Sequence, residues 1–177
     1  MSLQDAKKLQ DLKERAGAVL APRRATLSAQ RPRAFQSFLN DIAEYLEREG
    51  FGIEAVGNPL SGIKANYKGL ELSVNAQGNL PLIDNSDYAI QIILPQKILI
   101  VYLKINSGTY VEPAIGSTTE KLISDYENRV VPSLEALSDS ELDGTYQLFY
   151  QHTNSSGTTK VFLNDAKEVI DKVFENY

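Results

Sequence analysis

Three groups of polar residues have types and spacings that could support chemistry. His152 is the only histidine in the chain and could serve as a general base. A serine triad would also need an orienting acid and an oxyanion hole, and the sequence contains no Gly-x-Ser-x-Gly segment. A transition-metal site would need several nitrogen or sulfur ligands, but the chain has one histidine and no cysteine. We therefore predict a structural or surface role for His152.

The acidic segment from Asp139 to Gly144 resembles the opening of a calcium-binding loop. Its acids alternate, and its sixth residue is glycine. Position twelve of such a loop would be Tyr150, where a bidentate glutamate is needed to complete the site. We interpret the segment as a solvated acidic turn that binds no metal.

The third group has the spacing of a metal-dependent nuclease. Such an enzyme needs an aspartate at a strand end and, on the next strand, an acid two residues before a lysine. Asp87 and Lys104 fit this pattern, but Tyr102 stands in place of the second acid. No glycine-rich phosphate loop is present either. We predict a non-enzymatic protein with no catalytic residue, metal or cofactor, and keep a degenerate nuclease as the third alternative.

The strongest charge feature is the segment RRATLSAQRPR, residues 23–33, which holds four of the seven arginines and no acid. Residues 1–34 carry a net charge of +5, whereas residues 35–177 carry −10. Arginine forms planar, bidentate contacts with carboxylates and phosphates. We predict a docking arm whose partner-binding residues are Arg23, Arg24, Arg31 and Arg33. A solvated linker and an arm that folds back on the acidic body are the alternatives.

An amphipathic helix precedes this arm. A cap at Ser2–Asp5 opens it, apolar residues follow at spacings of three and four, and Pro22 ends it. Its apolar stripe needs a partner, either the rest of this chain or another chain, and we predict that Leu9 and Leu12 bind that partner. A second helix is expected from about Pro32 to Gly50.

The remaining residues alternate between strand and helix patterns. Period-two segments predict strands in residues 53–74, the apolar runs 88–94 and 98–105 predict central strands covered on both faces, and residues 145–163 predict a hairpin. Helices are predicted after a cap at Ser117–Glu120 and after Asn164. The predicted core residues are Phe35, Phe38, Leu39, Ile42, Ile90, Ile92, Leu99, Val101, Leu148, Phe162, Ile170 and Phe174.

These elements predict an α+β fold, with a largely antiparallel sheet of about five to seven strands packed with helices. We expect residues 1–34 to form the helix and arm, and residues 35–177 to form a single acidic domain. The element order resembles that of small acidic secretion-chaperone-like α+β domains, at the level of topology alone. The chain has 177 residues, 42% of them hydrophobic, and no secretory signal pattern, so we expect a cytoplasmic protein that does not contact membranes.

We predict a protein-interaction or assembly module, such as a chaperone-like adaptor or a subunit of a larger particle, including a phage component. It would bind another protein, or itself as an oligomer, through its N-terminal helix and arginine arm. The alternative is a nucleic-acid-associated protein in which the arm contacts phosphates weakly, because the acidic body is repelled by nucleic acid.

Overall fold

The computed structural model describes residues 2–57, 61–76, 80–114, 118–137, 142–155 and 157–175. The chain forms two compact units. The first unit consists of Met1–Ala29 and Asn106–Gly144, and the second of Gln30–Ile105 and Thr145–Tyr177. Within the described residues, no helix is both long and apolar enough to cross a membrane.

A single helix, α1, extends from Leu3 to Arg48. The Ser2 hydroxyl accepts a hydrogen bond from the Asp5 N–H at 3.1 Å, and the Asp5 carboxylate accepts one from the Ser2 N–H at 2.9 Å. This reciprocal cap confirms the predicted helix start. Gly50, with φ of 89°, follows the helix in the left-handed conformation that glycine adopts without steric cost.

The prediction of two helices joined by an arm is wrong, because Pro22 and Pro32 both lie inside α1. A proline within a helix removes an N–H donor and costs about 3 kcal/mol. Apolar contacts lie beside each proline. Val19 contacts the apolar cluster of the first unit, and the ring of Phe35 stacks on Tyr88 in the second unit at a centroid distance of 4.7 Å. The predicted boundary at residue 34 therefore falls inside a helix, and independent folding of residues 35–177 remains a prediction.

The second unit contains one antiparallel sheet whose seven strands follow one another in sequence order. This architecture confirms the predicted α+β class. A Lys68-Gly69 turn with both φ angles positive joins the second and third strands, as the sequence indicated. The strands are β1 (Gly52–Val56), β2 (Gly62–Tyr67), β3 (Leu70–Ala76), β4 (Tyr88–Leu94), β5 (Lys97–Ile105), β6 (Tyr146–Asn154) and β7 (Gly157–Leu163).

One face of the sheet, called the inner face here, packs against the part of α1 in the second unit, where Phe35 stacks on Tyr88, and against α4 (Ala166–Phe174), which contacts β5. The Asp165 carboxylate caps α4 by accepting from the Glu168 N–H at 2.8 Å, which confirms a helix after Asn164. The predicted core residues that are buried are Phe35, Phe38, Leu39, Ile42, Ile90, Ile92, Val101, Leu148 and Ile170. Leu99 and Phe174 are half-buried. Phe162 was wrongly assigned, because it is 58% exposed on the opposite face.

The first unit packs the start of α1 against a second helical segment. That segment comprises α2 (Thr119–Asp125), a π-helical turn (Tyr126–Val130) and α3 (Val131–Glu135). Thr118 caps α2 by accepting from the Lys121 N–H at 3.4 Å, whereas the predicted cap Ser117 lies outside the described residues. The buried cluster of this unit consists of Ala16, Val130, Val131 and Leu134.

Candidate functional site

The arginine-rich segment, residues 23–33, is part of helix α1 and does not form an extended arm. Arg23 is only 6% exposed and donates from Nη2 to the Ser107 carbonyl oxygen at 3.1 Å. Arg31 donates from Nε to the Asp87 carboxylate at 2.6 Å. Arg24 and Arg33 are exposed. Two of the four predicted docking arginines thus make contacts within their own unit, and two remain at the surface.

The apolar stripe at the start of α1 contacts the chain itself. Leu12 is half-buried and packs against the cluster that contains Val130 and Leu134. Leu9 is also half-buried, whereas Leu3 is 73% exposed. The sequence left open whether this stripe meets its own chain or another, and the structure places Leu12 against its own chain. A helical apolar pattern in residues 122–134 was the available signal for this pairing.

The cations near the start of α1 also lie close to acids of the first unit. Lys8 pairs with Glu127 at 2.8 Å, and Arg15 pairs with Glu135 at 2.6 Å. Both pairs are largely exposed, so each contributes at most about 1 kcal/mol to stability. These two ion pairs neutralise the charges of Lys8 and Arg15 within the first unit.

The three residues with nuclease-like spacing, Asp87, Tyr102 and Lys104, contact other residues of the second unit. The Asp87 carboxylate accepts from the Ile105 N–H at 2.8 Å as well as from Arg31, and Lys104 donates to the Asp84 carbonyl at 3.2 Å. Tyr102 is buried and stacks on Phe149 at 5.4 Å, as expected for a packing residue.

The other two chemical candidates are His152 and the acidic segment. His152 is exposed on β6. The acidic segment from Asp139 to Gly144 lies partly outside the described residues. Among the residues that are described, no group of three or more potential metal ligands comes together.

A polar contact that the sequence did not reveal joins Tyr146 to α1. Its hydroxyl lies 3.3 Å from the Asp41 carboxylate, at the rim of a groove of about 440 Å³. Burial raises the pKa of Tyr146 to about 12, and the negative charge of Asp41 adds to the rise. The arrangement stabilises the neutral phenol, so Tyr146 is unsuited to act as a general base near neutral pH.

The second face of the sheet, called the outer face here, carries an apolar band across four strands. Along this band Ala89 lies opposite Tyr102, Tyr102 opposite Phe149, and Phe149 opposite Phe162. In a second row Ile93 lies opposite Ile98. The period-two pattern alone could not show which part of this band is covered.

The segment that precedes β4 covers part of the band. Leu80 and Ile83 pack against the buried Ala89–Tyr102–Phe149 cluster. Lys160 fastens this cover, because its Nζ lies 3.0 Å from an Asp84 carboxylate oxygen and 4.6 Å from the centre of the Phe149 ring.

Two large apolar side chains elsewhere on the outer face are exposed. Ile98 is 60% exposed and Phe162 is 58% exposed. The prediction that β5 is covered on both faces is therefore wrong at its beginning. The two exposed side chains Ile98 and Phe162 of the outer face are together called the apolar surface below.

Comparison with known proteins adds no assignment: no family model, curated protein or solved structure matches the chain. Its function has to be argued from the two units themselves.

Proposed function

We propose that this protein is a non-enzymatic protein-interaction or assembly module. The observation that carries the proposal is the apolar surface of the second unit, where two large side chains, Ile98 and Phe162, are each more than half exposed. Isolated apolar side chains are common on protein surfaces, but these two lie on the same sheet face, and Phe162 adjoins the buried Phe149 across the β6–β7 ladder. Such a surface is suited to burial against a partner.

The partner class that this surface favours is another protein. Residues 35–177 carry a net charge of −10, which repels a polyanion. Within the basic N-terminal segment, Lys8, Arg15 and Arg31 are already paired with acids, so fewer cations remain for phosphates. Nucleic-acid binding depends on cations that neutralise phosphates, and this charge distribution supplies few of them.

The N-terminal helix has a smaller part in this proposal than the sequence suggested. Of its predicted partner-binding residues, Arg24 and Arg33 are exposed and can contact acidic groups of a partner. Arg23 and Leu12 support the first unit instead, since both contact other residues of that unit. We therefore place the main contact on the apolar surface and a polar contact at Arg24 and Arg33.

Site-specific photo-crosslinking of the full chain tests this function. A photoreactive phenylalanine analogue at Phe162 should crosslink to a discrete protein in an extract of the organism that encodes the chain. The same analogue at Gln147, an exposed position on the same sheet face, should not. Adding Ile98→Ser should reduce the crosslink from position 162 while the melting temperature stays unchanged, because Ile98 is largely exposed.

The outcome separates the candidate functions. Crosslinking mainly to nucleic acid, with binding that weakens steeply as salt rises, would replace this proposal with the nucleic-acid alternative. Equal crosslinking from positions 162 and 147 would show that the apolar surface is not a specific contact.

A further inference from the structure

The pairing between β5 and β6 stops halfway along both strands. Only Tyr102–Ile105 of β5 is paired, with Tyr146–Phe149 of β6. Both strands continue for five more residues: Lys97–Val101 pairs only with β4, and Tyr150–Asn154 pairs only with β7. The β4–β5 and β6–β7 hairpins therefore separate from each other, and two strand edges line the opening. This opening is called the fork below.

Hydrogen-bond alternation identifies the backbone groups that face the fork. The Leu103 carbonyl accepts from the Asp87 N–H, and the Ile105 N–H donates to the Asp87 carboxylate, so the backbone groups of these odd-numbered residues face β4. In an antiparallel ladder the direction alternates with each residue. The N–H and C=O groups of Ile98 and Ile100 therefore face the fork.

The same alternation applies to the opposite edge of the fork. Phe149 lies opposite Tyr102 in the closed part of the ladder, where the backbone groups of both residues face each other. Two and four residues further along β6, the N–H and C=O groups of Gln151 and Thr153 face the fork. Each edge thus presents two donors and two acceptors in strand geometry.

The residues whose backbone groups face the fork are uncharged, and the Lys97 ammonium at the start of β5 donates to the Lys172 and Glu175 carbonyls near the end of α4. Proteins commonly protect exposed strand edges with charged side chains, which discourage another strand from pairing there. The outer edge strands β1 and β7 carry Glu54 and Lys160, both exposed. The four residues facing the fork are uncharged, and Ile98 among them is part of the apolar surface.

We propose that the fork binds an extended segment of a partner protein, which adds to the sheet as a strand with apolar residues at alternate positions. This inference rests on the proposed function and identifies the form of the partner. A lone segment has both of its edges free, so it can bond to β5 on one side and to β6 on the other. Because β5 and β6 are antiparallel, it lies parallel to one of them and antiparallel to the other.

A second copy of the chain fits the fork less well. Each of the seven strands in the described residues is already paired along at least one side. A strand from a second copy could therefore satisfy only one edge of the fork. The neighbouring side chains on the outer face, Ile93, Ile98 and Ile100, favour apolar contacts from the segment.

A direct test titrates the ¹⁵N-labelled full chain with a blocked six-residue peptide of alternating valine and threonine. Saturable changes in the amide resonances of Ile98, Ile100, Gln151 and Thr153 are expected. A locked variant, Ile100→Cys with Gln151→Cys, should lose the changes at Ile98 and Thr153 when oxidised and regain them when reduced. These two positions continue the β5–β6 register, and the chain has no other cysteine.

The matched control is Asn66→Cys with Glu71→Cys. These exposed positions already face each other in the closed β2–β3 ladder, so their disulfide leaves the fork open and peptide binding unchanged. Should the locked variant not fold, Ile98→Lys is expected to weaken peptide binding, and Gln147→Lys on the closed part of β6 is not.

Three results would overturn the inference: no saturable change, changes that persist after oxidation of the locked variant, or the same changes on raising protein concentration without peptide. The last would identify a second copy as the occupant. Because the crosslinking experiment uses position 162 and a cellular partner, it can succeed while the peptide titration fails. That combination would leave the proposed function standing without the fork as its site.

Discussion

Phe149 and Phe162 offer a matched test of the outer face, because they are cross-strand neighbours of the same residue type on the same face. Phe149 is fully buried, with its ring 5.4 Å from Tyr102 and 4.6 Å from the Lys160 ammonium. Truncating a fully buried phenylalanine to alanine costs about 3–5 kcal/mol. Phe162 is 58% exposed, so its truncation should cost about 1 kcal/mol or less.

Urea denaturation followed by circular dichroism would measure both free energies of unfolding, with the slope of the transition checked in each variant. The expected difference of at least about 2 kcal/mol exceeds the error of the extrapolation. Equal losses would mean that Phe162 is covered in solution or that the Leu80–Asp87 segment does not cover Phe149. The first result would remove the apolar surface from which the proposed function is argued, and the second would show that the assigned boundary of that surface is wrong.

Four further predictions concern the pKa of Tyr146, the burial of Arg23, the N-terminal part of α1 and metal binding. Tyr146→Phe should flatten the loss of unfolding free energy between about pH 10 and 12, because a tyrosine pKa raised to about 12 by burial stabilises the fold below pH 10 and loses that stabilisation as pH rises. The comparison with wild type isolates Tyr146 from the lysines that titrate in the same range. Arg23→Lys should lower the unfolding free energy by about 1 kcal/mol or more, since its guanidinium is buried, whereas Arg24→Lys should leave it unchanged. Deleting residues 2–29 should destabilise the chain, detectable as a lower melting temperature, because α1 covers the apolar cluster of the first unit; an unchanged melting temperature would show that residues 30–177 fold without this part of the helix. Calorimetric titration with calcium, magnesium, manganese and zinc should show no tight site, and a stoichiometric micromolar site would contradict this.

Local signals predicted most of the second unit. Alternating apolar residues set the strands, and turn residues such as Lys68-Gly69 set the connections between them. The cap at Ser2–Asp5 was also readable, since both partners lie within one helical turn. These features depend on residues a few positions apart, and their physical causes are local.

The continuous α1 and the position of Arg23 depend on contacts that sequence patterns do not show. Proline propensity predicted a break at Pro22, but packing of Val19 and the bond from Arg23 to the Ser107 carbonyl lie on either side of it. Ser107 is 84 positions away from Arg23. A cluster of arginines therefore indicated exposure when judged by charge alone, although one member is buried. The end of β5–β6 pairing after Phe149 is equally a property of register between distant strands.

The net negative charge of the chain makes a different protein a better occupant of the fork than a second copy. An uncharged strand edge beside an exposed isoleucine is a template for pairing with any extended chain, including another copy of itself. The net charge of −5 opposes association between identical copies, and more strongly at low salt. A partner segment without net negative charge meets no such repulsion and can use the same backbone groups of Ile98 and Ile100. The combination of an acidic surface and uncharged fork edges therefore disfavours self-pairing and leaves the fork open to a segment from another protein.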